Sequence, residues 1–89
     1  MNLSKNWRLE VERDVFKTLK KMPRSRRDAL LHAIKLLPSN PYFGDIQKMK
    51  GLDNTWRRRI GAYRIYYKIK NPEGVILVFH LERRTSKTY

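Results

Sequence analysis

The 89-residue chain has no cysteine, only 8 acidic residues, two histidines and no long hydrophobic segment. Without cysteine it cannot form disulfides, thiolate zinc sites or a cysteine-dependent active site. His32 and His80 are too few for an ordinary histidine-rich metal site, so we expect no metal and no other cofactor. The longest strongly apolar run, Val75–Phe79, is far shorter than the ~20 residues of a membrane-spanning helix, and residues 1–7 lack the apolar segment of a signal peptide. These absences predict a soluble cytoplasmic protein.

The shortage of acids leaves a large positive charge. The 21 Lys and Arg residues give a formal net charge of +13 at pH 7. Residues 1–44 carry 10 basic and 4 acidic side chains, and residues 45–89 carry 11 and 4, so the folded body itself must be cationic. The length allows one domain, residues 1–89. A polyanionic partner is expected, nucleic acid first, although charge alone leaves an anionic membrane or an acidic protein open.

Hydrophobic periodicity predicts a strand and two helices in the first half. Apolar residues alternate with charged ones from residue 7 to 12, which is typical of a half-buried strand. Helical spacing follows until Pro23. Ser25–Asp28 reads as a capping box that opens a second helix, whose apolar positions continue to Pro38. Residues 38–44 are rich in loop formers, and Asp45–Leu52 is ambiguous, most simply a short turn.

The second half returns to a period of two. Thr55–Ile60, Tyr63–Lys70 and Val75–Glu82 read as strands separated by turns of hairpin size. The predicted fold is therefore α+β with the order β-α-α-β-β-β, in which a two-helix hairpin packs on one face of a mainly antiparallel sheet.

Strand alternation places three arginines together. Successive side chains of a strand point to opposite faces, so the apolar positions of Tyr63–Lys70 suit the core and Arg64 lies on the other face. Trp56 and Ile60 mark the core side of the preceding strand, which puts Arg57 and Arg59 on the same face as Arg64. Guanidinium groups match phosphate oxygens and stay charged, so the sequence predicts a phosphate-binding face. The alternative is an ordinary solvated polar face. The parity of the last strand stays open, because its apolar residues run continuously.

At these residues the sequence resembles the RelE/ParE superfamily of toxins from toxin–antitoxin pairs. The resemblance covers nearly the whole chain, and its most specific part is the segment Trp56–Tyr67, followed by the apolar strand and an Arg-rich ending with Tyr89. RelE-type members cut mRNA in the ribosomal A site, whereas ParE-type members poison DNA gyrase. The resemblance implies a cognate antitoxin as partner. We favour the RelE-like reading, a ribosome-dependent mRNA endonuclease, over a gyrase inhibitor or a non-catalytic basic RNA-binding module.

The resemblance also implies site residues. Metal-free cleavage through the 2′-hydroxyl needs a proton acceptor, charge stabilisation and a leaving-group contact. Arg64 is assigned to the phosphorane, Arg83 to the leaving group and Tyr89 to the general base or to stacking on a base, with Arg84 an alternative to Arg83. The expected RNA contacts are Arg57, Arg59, Arg84, Lys68, Tyr66, Lys48 and Lys50.

Three further residues are candidates for this chemistry. His32 is expected to be structural or exposed, and His80 is left open as a catalytic or substrate contact. Glu82 could act as a base, but a salt bridge to a neighbouring arginine is the expected role.

Overall fold

The computed structural model describes residues 7–83, which form seven helices and strands around one sheet. In chain order they are β1 (Arg8–Val11), α1 (Arg13–Lys20), α2 (Arg24–Leu36), β2 (Ile46–Lys48), β3 (Thr55–Ile60), β4 (Tyr63–Lys70) and β5 (Val75–Arg83). The strand order is β1-β5-β4-β3-β2. Among the strands of residues 7–83, only β1 and β5 pair in parallel. The predicted α+β fold is confirmed, with β2 as an additional strand.

The helices cover one face of the sheet and leave the other open. A single cluster of buried side chains joins α1 and α2 to the central strands β4 and β5. In β4 every second residue is buried, as the alternation predicts, because those positions face the helices. The cluster includes Val15, Leu19, Leu30, Ile34, Ile65, Tyr67, Ile69, Ile76 and Val78. The residues between them in β4 face away from the helices, and this second side of the sheet is called the open face below.

The predicted capping box at the start of α2 is wrong. The helix begins at Arg24, and its N-cap is Pro23, which makes no side-chain cap hydrogen bond. Proline suits a helix entrance because its fixed φ is compatible with the helix and its missing N–H would be unpaired there anyway. The carbonyl of Pro23 accepts the N–H of Arg27 at 3.0 Å. Asp28 lies 3.9 Å from Arg24 as an exposed ion pair, rather than at a cap.

The segment predicted as a turn contains β2. Its three residues pair antiparallel with β3, with Ile46 opposite Arg58 and Lys48 opposite Trp56. Three residues are too few to show a period of two, and the strand exists because β3 offers it a hydrogen-bonding edge. β2 therefore extends the sheet beside the arginines of β3.

A buried tyrosine fixes the loop that leads into β2. The Tyr67 hydroxyl donates a 2.6 Å hydrogen bond to the backbone carbonyl of Pro41. Burial raises the pKa of Tyr67 to about 12, against a smaller opposing effect of the Arg58 charge. The hydroxyl thus remains a donor at every ordinary pH, and it ties residues 38–44 to the core.

Two kinds of feature, a membrane-spanning helix and a group of metal ligands, are absent from residues 7–83. No helix in this range is long and apolar enough to cross a membrane. The same residues contain no group of three His, Asp or Glu side chains that could hold a metal ion.

Candidate functional site

The register of β3 and β4 gathers the three predicted arginines on the open face. Arg57 pairs with Tyr66, and Arg59 pairs directly with Arg64. Because paired residues in neighbouring strands point to the same face, Arg57, Arg59 and Arg64 form one group there. The placement of these three residues follows from the strand alternation read in the sequence.

These arginines line a polar cleft at the β2 side of the sheet. The cleft, about 320 Å³ in volume, is lined by Asp45, Gln47, Arg57, Arg59 and Arg64, and we call it the arginine cleft. Arg59 Nε lies 3.0 Å from Asp45 Oδ2, and Arg57 donates a hydrogen bond to the Gln47 side-chain oxygen. Asp45 and Gln47 were not expected at the site from the sequence, since only the pairing of β2 brings them there.

The cations of the cleft are paired only weakly. The Arg59–Asp45 pair is exposed, with side-chain accessibilities of 53% and 62%, whereas the Arg64–Glu82 pair, with Arg64 Nη1 3.6 Å from Glu82 Oε2, is partly buried. An exposed ion pair such as Arg59–Asp45 contributes about 0–1 kcal/mol, so a phosphate can exchange with the Asp45 carboxylate. Among the described residues, Arg57 has a neutral side-chain partner and no carboxylate partner. Its charge is therefore the one most available to an anion.

A β-bulge in β5 adds a second cluster to the open face. The register shifts between Tyr66 and Tyr67, so Tyr66 pairs with His80 while Tyr67 pairs with Val78. Phe79 is the extra residue, and both Phe79 and His80 make ring contacts with Tyr66, at centroid distances of 6.3 and 5.3 Å.

Glu82 connects this cluster to the arginine cleft. Its Oε2 accepts a 2.9 Å hydrogen bond from the Tyr66 hydroxyl, and its Oε1 lies 3.3 Å from His80 Nε2. The Tyr66 hydrogen bond lowers the pKa of the Glu82 carboxyl, and His80 and Arg64 act in the same direction against the effect of burial. Glu82 is therefore a carboxylate held by three side chains, and the predicted ion pair with a neighbouring arginine is present. We call Tyr66, His80 and Glu82 the histidine cluster.

Lys68 and Tyr66 lie on the open face, as predicted. Lys68 is exposed and its amine lies 5.9 Å from the centre of the Phe79 ring. Lys48 is not brought to the arginine cleft, because it pairs with Trp56, whose side chain belongs to the helix side of the sheet. Lys50 follows β2 in the loop that continues from it.

The structure does not bring Arg83 together with Arg64. Arg83 pairs with Tyr63, which is buried under the helices, so strand parity directs Arg83 to the helix side. There it lines an apolar cavity of about 300 Å³ with residues of α2 and the β3–β4 turn. Glu82, one residue earlier, occupies the position opposite Arg64 instead. Arg84 and Tyr89 lie outside the described residues.

The sequence contained no signal for the histidine cluster, because the residues of Val75–Phe79 are all apolar and only their burial reveals the bulge. The buried positions of β5 include Val78 and Leu81, three residues apart, whereas an unbroken strand would keep them two or four apart. That spacing marks the bulge that puts His80 beside Tyr66. His32, by contrast, is exposed on α2, in line with its predicted surface role.

Comparison with known proteins agrees with the geometry. A family model described as the ParE toxin of the type II toxin–antitoxin system parDE matches residues 6–87. A candidate toxin of Methanocaldococcus jannaschii named RelE1 is 32% identical over 79 residues, which cover 85% of this chain and 88% of the relative.

Solved structures of RelE toxins have the same fold. RelE in the RelE–RelB complex of Pyrococcus horikoshii superimposes with a TM-score of 0.79 at 24% identity, covering 92% of this chain and 99% of that one. The isolated Escherichia coli RelE toxin gives a TM-score of 0.76 at 16% identity, with coverages of 91% and 87%. The chain belongs to the ParE toxin family within the RelE/ParE superfamily, and it is a toxin of a toxin–antitoxin system with a RelE-like structure.

Proposed function

We propose that this toxin is a ribosome-dependent endoribonuclease that cleaves mRNA in the ribosomal A site and thereby inhibits translation. The observation that carries the proposal is the arginine cleft, where Arg57, Arg59 and Arg64 converge from two strands on one open surface. A cleft with three planar cationic groups suits consecutive phosphates of a single-stranded backbone.

In the proposed reaction the nucleophile comes from the RNA itself. The 2′-hydroxyl attacks the adjacent phosphorus, and the products are a 2′,3′-cyclic phosphate and a 5′-hydroxyl. Negative charge increases on the phosphoryl oxygens in the transition state, and a preorganised guanidinium group stabilises it there. Arg64 takes this role, because it lines the arginine cleft and also contacts Glu82 of the histidine cluster. Arg57 and Arg59 hold the flanking phosphates.

Two assigned roles depend on residues at the end of the chain. Tyr89 as general base and Arg84 as an alternative to Arg83 are predictions from the family resemblance and lie outside the described residues. Arg83 lies on the helix side of the sheet, away from Arg64, which counts against its assignment to the leaving group. Individual Ala variants of Arg83 and Arg84 separate the two assignments.

The exposure of the arginines supports the proposed ribosome dependence. The arginines of the cleft are exposed or half-buried, so a substrate bound there also stays accessible to a second macromolecule. Orientation of the 2′-hydroxyl in line with the leaving oxygen accounts for much of the barrier, and the ribosome supplies that alignment by holding the codon. We place the activity in the cytoplasm and treat residues 1–89 as one toxin domain.

A cognate antitoxin is the proposed protein partner. The P. horikoshii relative was solved as a RelE–RelB complex, as was the M. jannaschii one. A net charge of +13 favours a partner with an acidic segment.

A ParE-like inhibition of DNA gyrase is the second candidate. It is favoured by the description of the matching family model, which names the ParE toxin. Gyrase inhibition needs no nuclease chemistry, so the two candidates differ in what the purified protein does to mRNA.

One experiment separates the candidates. Purified toxin is incubated with ribosomes programmed with a defined mRNA, with the same mRNA alone, and with gyrase and plasmid DNA, and mRNA ends are mapped by primer extension. We expect cuts on the ribosome and little cleavage of the mRNA alone. Gyrase inhibition without mRNA cuts would select the ParE-like function, and RNA binding without cleavage or toxicity would select a non-catalytic module.

An arginine variant connects the activity to the cleft. We expect Arg64→Ala to reduce cleavage by on the order of 10²-fold while the protein stays folded. Arg24→Ala is the matched control, because it removes the same charge from the exposed start of α2. Equal activities of the two variants would remove Arg64 from the mechanism.

A further inference from the structure

The bulge in β5 places a histidine beside the arginine cleft. His80 pairs with Tyr66 on the open face, and the β1 strand ends before it, since Val11 pairs with Val78. The His80 side chain is 52% exposed, so one side of the imidazole contacts the cluster and the other is open to a substrate.

The contacts of His80 fix how its ring can exchange protons. Nε2 lies 3.3 Å from Glu82 Oε1, and Glu82 is a carboxylate that can only accept. A neutral imidazole in this arrangement carries its proton on Nε2 and donates it to Glu82, which leaves Nδ1 as the basic nitrogen. Glu82 is in turn held by the Tyr66 hydroxyl and by Arg64, so the ring is oriented by a supported carboxylate.

The groups around His80 come from three elements. Tyr66 and Arg64 lie on β4, and Glu82 on β5 itself. On the side of α1, Asp14, Lys17 and Thr18 line a cavity of about 300 Å³ that also includes His80 and Leu81. The imidazole therefore lies in the wall of a recess between α1 and β5, opposite polar side chains of α1.

Resting on the proposed nuclease function, we propose that His80 is a catalytic residue that accepts the proton of the attacking 2′-hydroxyl, and that Glu82 is its positioning residue. The 2′-oxygen forms a bond to phosphorus as its proton moves to Nδ1. The bond from phosphorus to the 5′-oxygen then breaks, and the leaving oxygen takes a proton from water. The imidazolium returns its proton to the resulting hydroxide, so atoms and charges balance.

The histidine is better suited to this step than the carboxylate beside it. The pKa of Glu82 is lowered, first by the Tyr66 hydrogen bond, and a carboxylate with three partners is a weak and occupied base. Imidazoles titrate near neutral pH and can both take and release a proton in one turnover. The position also fits the cleft, because Arg64 contacts Glu82 and lines the arginine cleft at once.

The test compares the two histidines of the chain. Single-turnover cleavage of ribosome-bound mRNA is measured from about pH 5.5 to 8.5 for the wild type, His80→Gln and His32→Gln. We expect His80→Gln to slow cleavage by on the order of 10²-fold and to lose a limb of the pH–rate profile between about pH 5 and 8. His32→Gln, at an exposed position of α2, keeps the wild-type rate and profile.

Three further readouts separate catalysis from structure. Added imidazole is expected to restore part of the activity of His80→Ala but none of the activity of Arg64→Ala. Glu82→Gln, which keeps the acceptor oxygen without the charge, is expected to shift the pH limb to lower pH and slow cleavage less than His80→Gln does. Circular dichroism checks that each variant is folded.

The outcomes distinguish this inference from the function on which it rests. Wild-type cleavage together with an unchanged rate and pH profile in folded His80→Gln would overturn the role of His80 while the nuclease stands. Loss of activity in Tyr89→Phe with full activity in His80→Gln would assign the proton to Tyr89 instead. A wild-type protein that cuts no ribosome-bound mRNA would overturn the nuclease function itself.

Discussion

Replacing Asp45 with asparagine should strengthen RNA binding, because Asp45 competes with phosphate for Arg59. The ion pair between them is 3.0 Å long and more than half exposed at both ends. Exposed pairs of this kind are worth about 0.2–1 kcal/mol, which corresponds to a gain of about 1.5-fold to fivefold in affinity when the competitor is removed. Gln47 keeps its hydrogen bond to Arg57 in this variant, so the cleft retains its other contacts.

The salt dependence of RNA binding provides a second measurement of how strongly each arginine of the cleft contacts phosphate. Each phosphate neutralised on a single strand contributes about 0.7 to the slope of log K against log salt. Arg57 has no carboxylate partner among the described residues, so Arg57→Ala should reduce the slope by roughly 0.7. Arg59→Ala should reduce the slope less. A phosphate that binds Arg59 displaces the Asp45 carboxylate, which then takes up a counterion, so the net number of ions released is smaller.

Fluorescence anisotropy with a single-stranded oligodeoxynucleotide measures both effects, since the probe lacks the 2′-hydroxyl and cannot be cut. Titrations from about 50 to about 250 mM salt give affinity and slope together. Arg24→Ala, on α2, is the control for loss of one positive charge. If Arg57→Ala and Arg24→Ala changed the slope equally, and Asp45→Asn changed nothing, binding would be a diffuse property of the cationic surface and the cleft would have no special role.

Three more predictions concern stability. Tyr67→Phe leaves the buried carbonyl of Pro41 without its 2.6 Å hydrogen bond, so the free energy of unfolding should fall by about 1–2 kcal/mol. Thermal unfolding should show this as a decrease of roughly 5–15 °C in Tm, and an unchanged Tm would contradict the anchoring role. The pKa of Glu82 is lowered in the folded protein, so this residue stabilises the fold at pH values above its ordinary pKa, and that stabilisation is lost as the pH falls through the pKa of the folded state. In urea titrations, Glu82→Gln should therefore lose less stability at acid pH than the wild type, and parallel pH dependences of the two proteins would contradict this. Gly44 has φ +95°, and a Cβ there would lie 3.1 Å from the Arg58 guanidinium, so Gly44→Ala should lower the free energy of unfolding by about 1–3 kcal/mol. The same urea titration measures this change, and a wild-type value would contradict the strain expected at Gly44.

The arginine cleft could be predicted in part because strand alternation is a local rule. A period of two over β3 and β4 is enough to place Arg57, Arg59 and Arg64 on one face, and the structure has them there. Asp45 could not be assigned, because its contact with Arg59 spans 14 residues and depends on the pairing of β2 with β3. The part of the site that depends on long-range pairing was therefore missing from the sequence interpretation.

The start of α2 and the end of β5 show two other limits. Ser25 matched a capping pattern, but Pro23 already supplies a helix entrance, so the competing local signal two residues earlier decides the boundary. The bulge in β5 depends on how this strand pairs with β4, and it changes which side chains of β5 lie on the open face. Simple alternation from the apolar run therefore could not settle the position of His80, and only the burial of Val78 and Leu81 in the structure reveals the bulge.

The charge of the site differs from the charge of the whole chain, and the difference separates two roles. The chain carries +13, whereas the three arginines of the cleft stand beside two carboxylates, Asp45 and Glu82. Most of the positive charge therefore lies elsewhere on the body, where it attracts a polyanion over long distances and raises the rate of encounter. The near-balanced cleft acts only at contact, where phosphate replaces carboxylate on guanidinium groups that are already in position. Salt should accordingly slow association with the ribosome in every variant, Arg24→Ala included, whereas the rate of cleavage at saturating toxin should respond to changes in the cleft and the histidine cluster but not to Arg24→Ala.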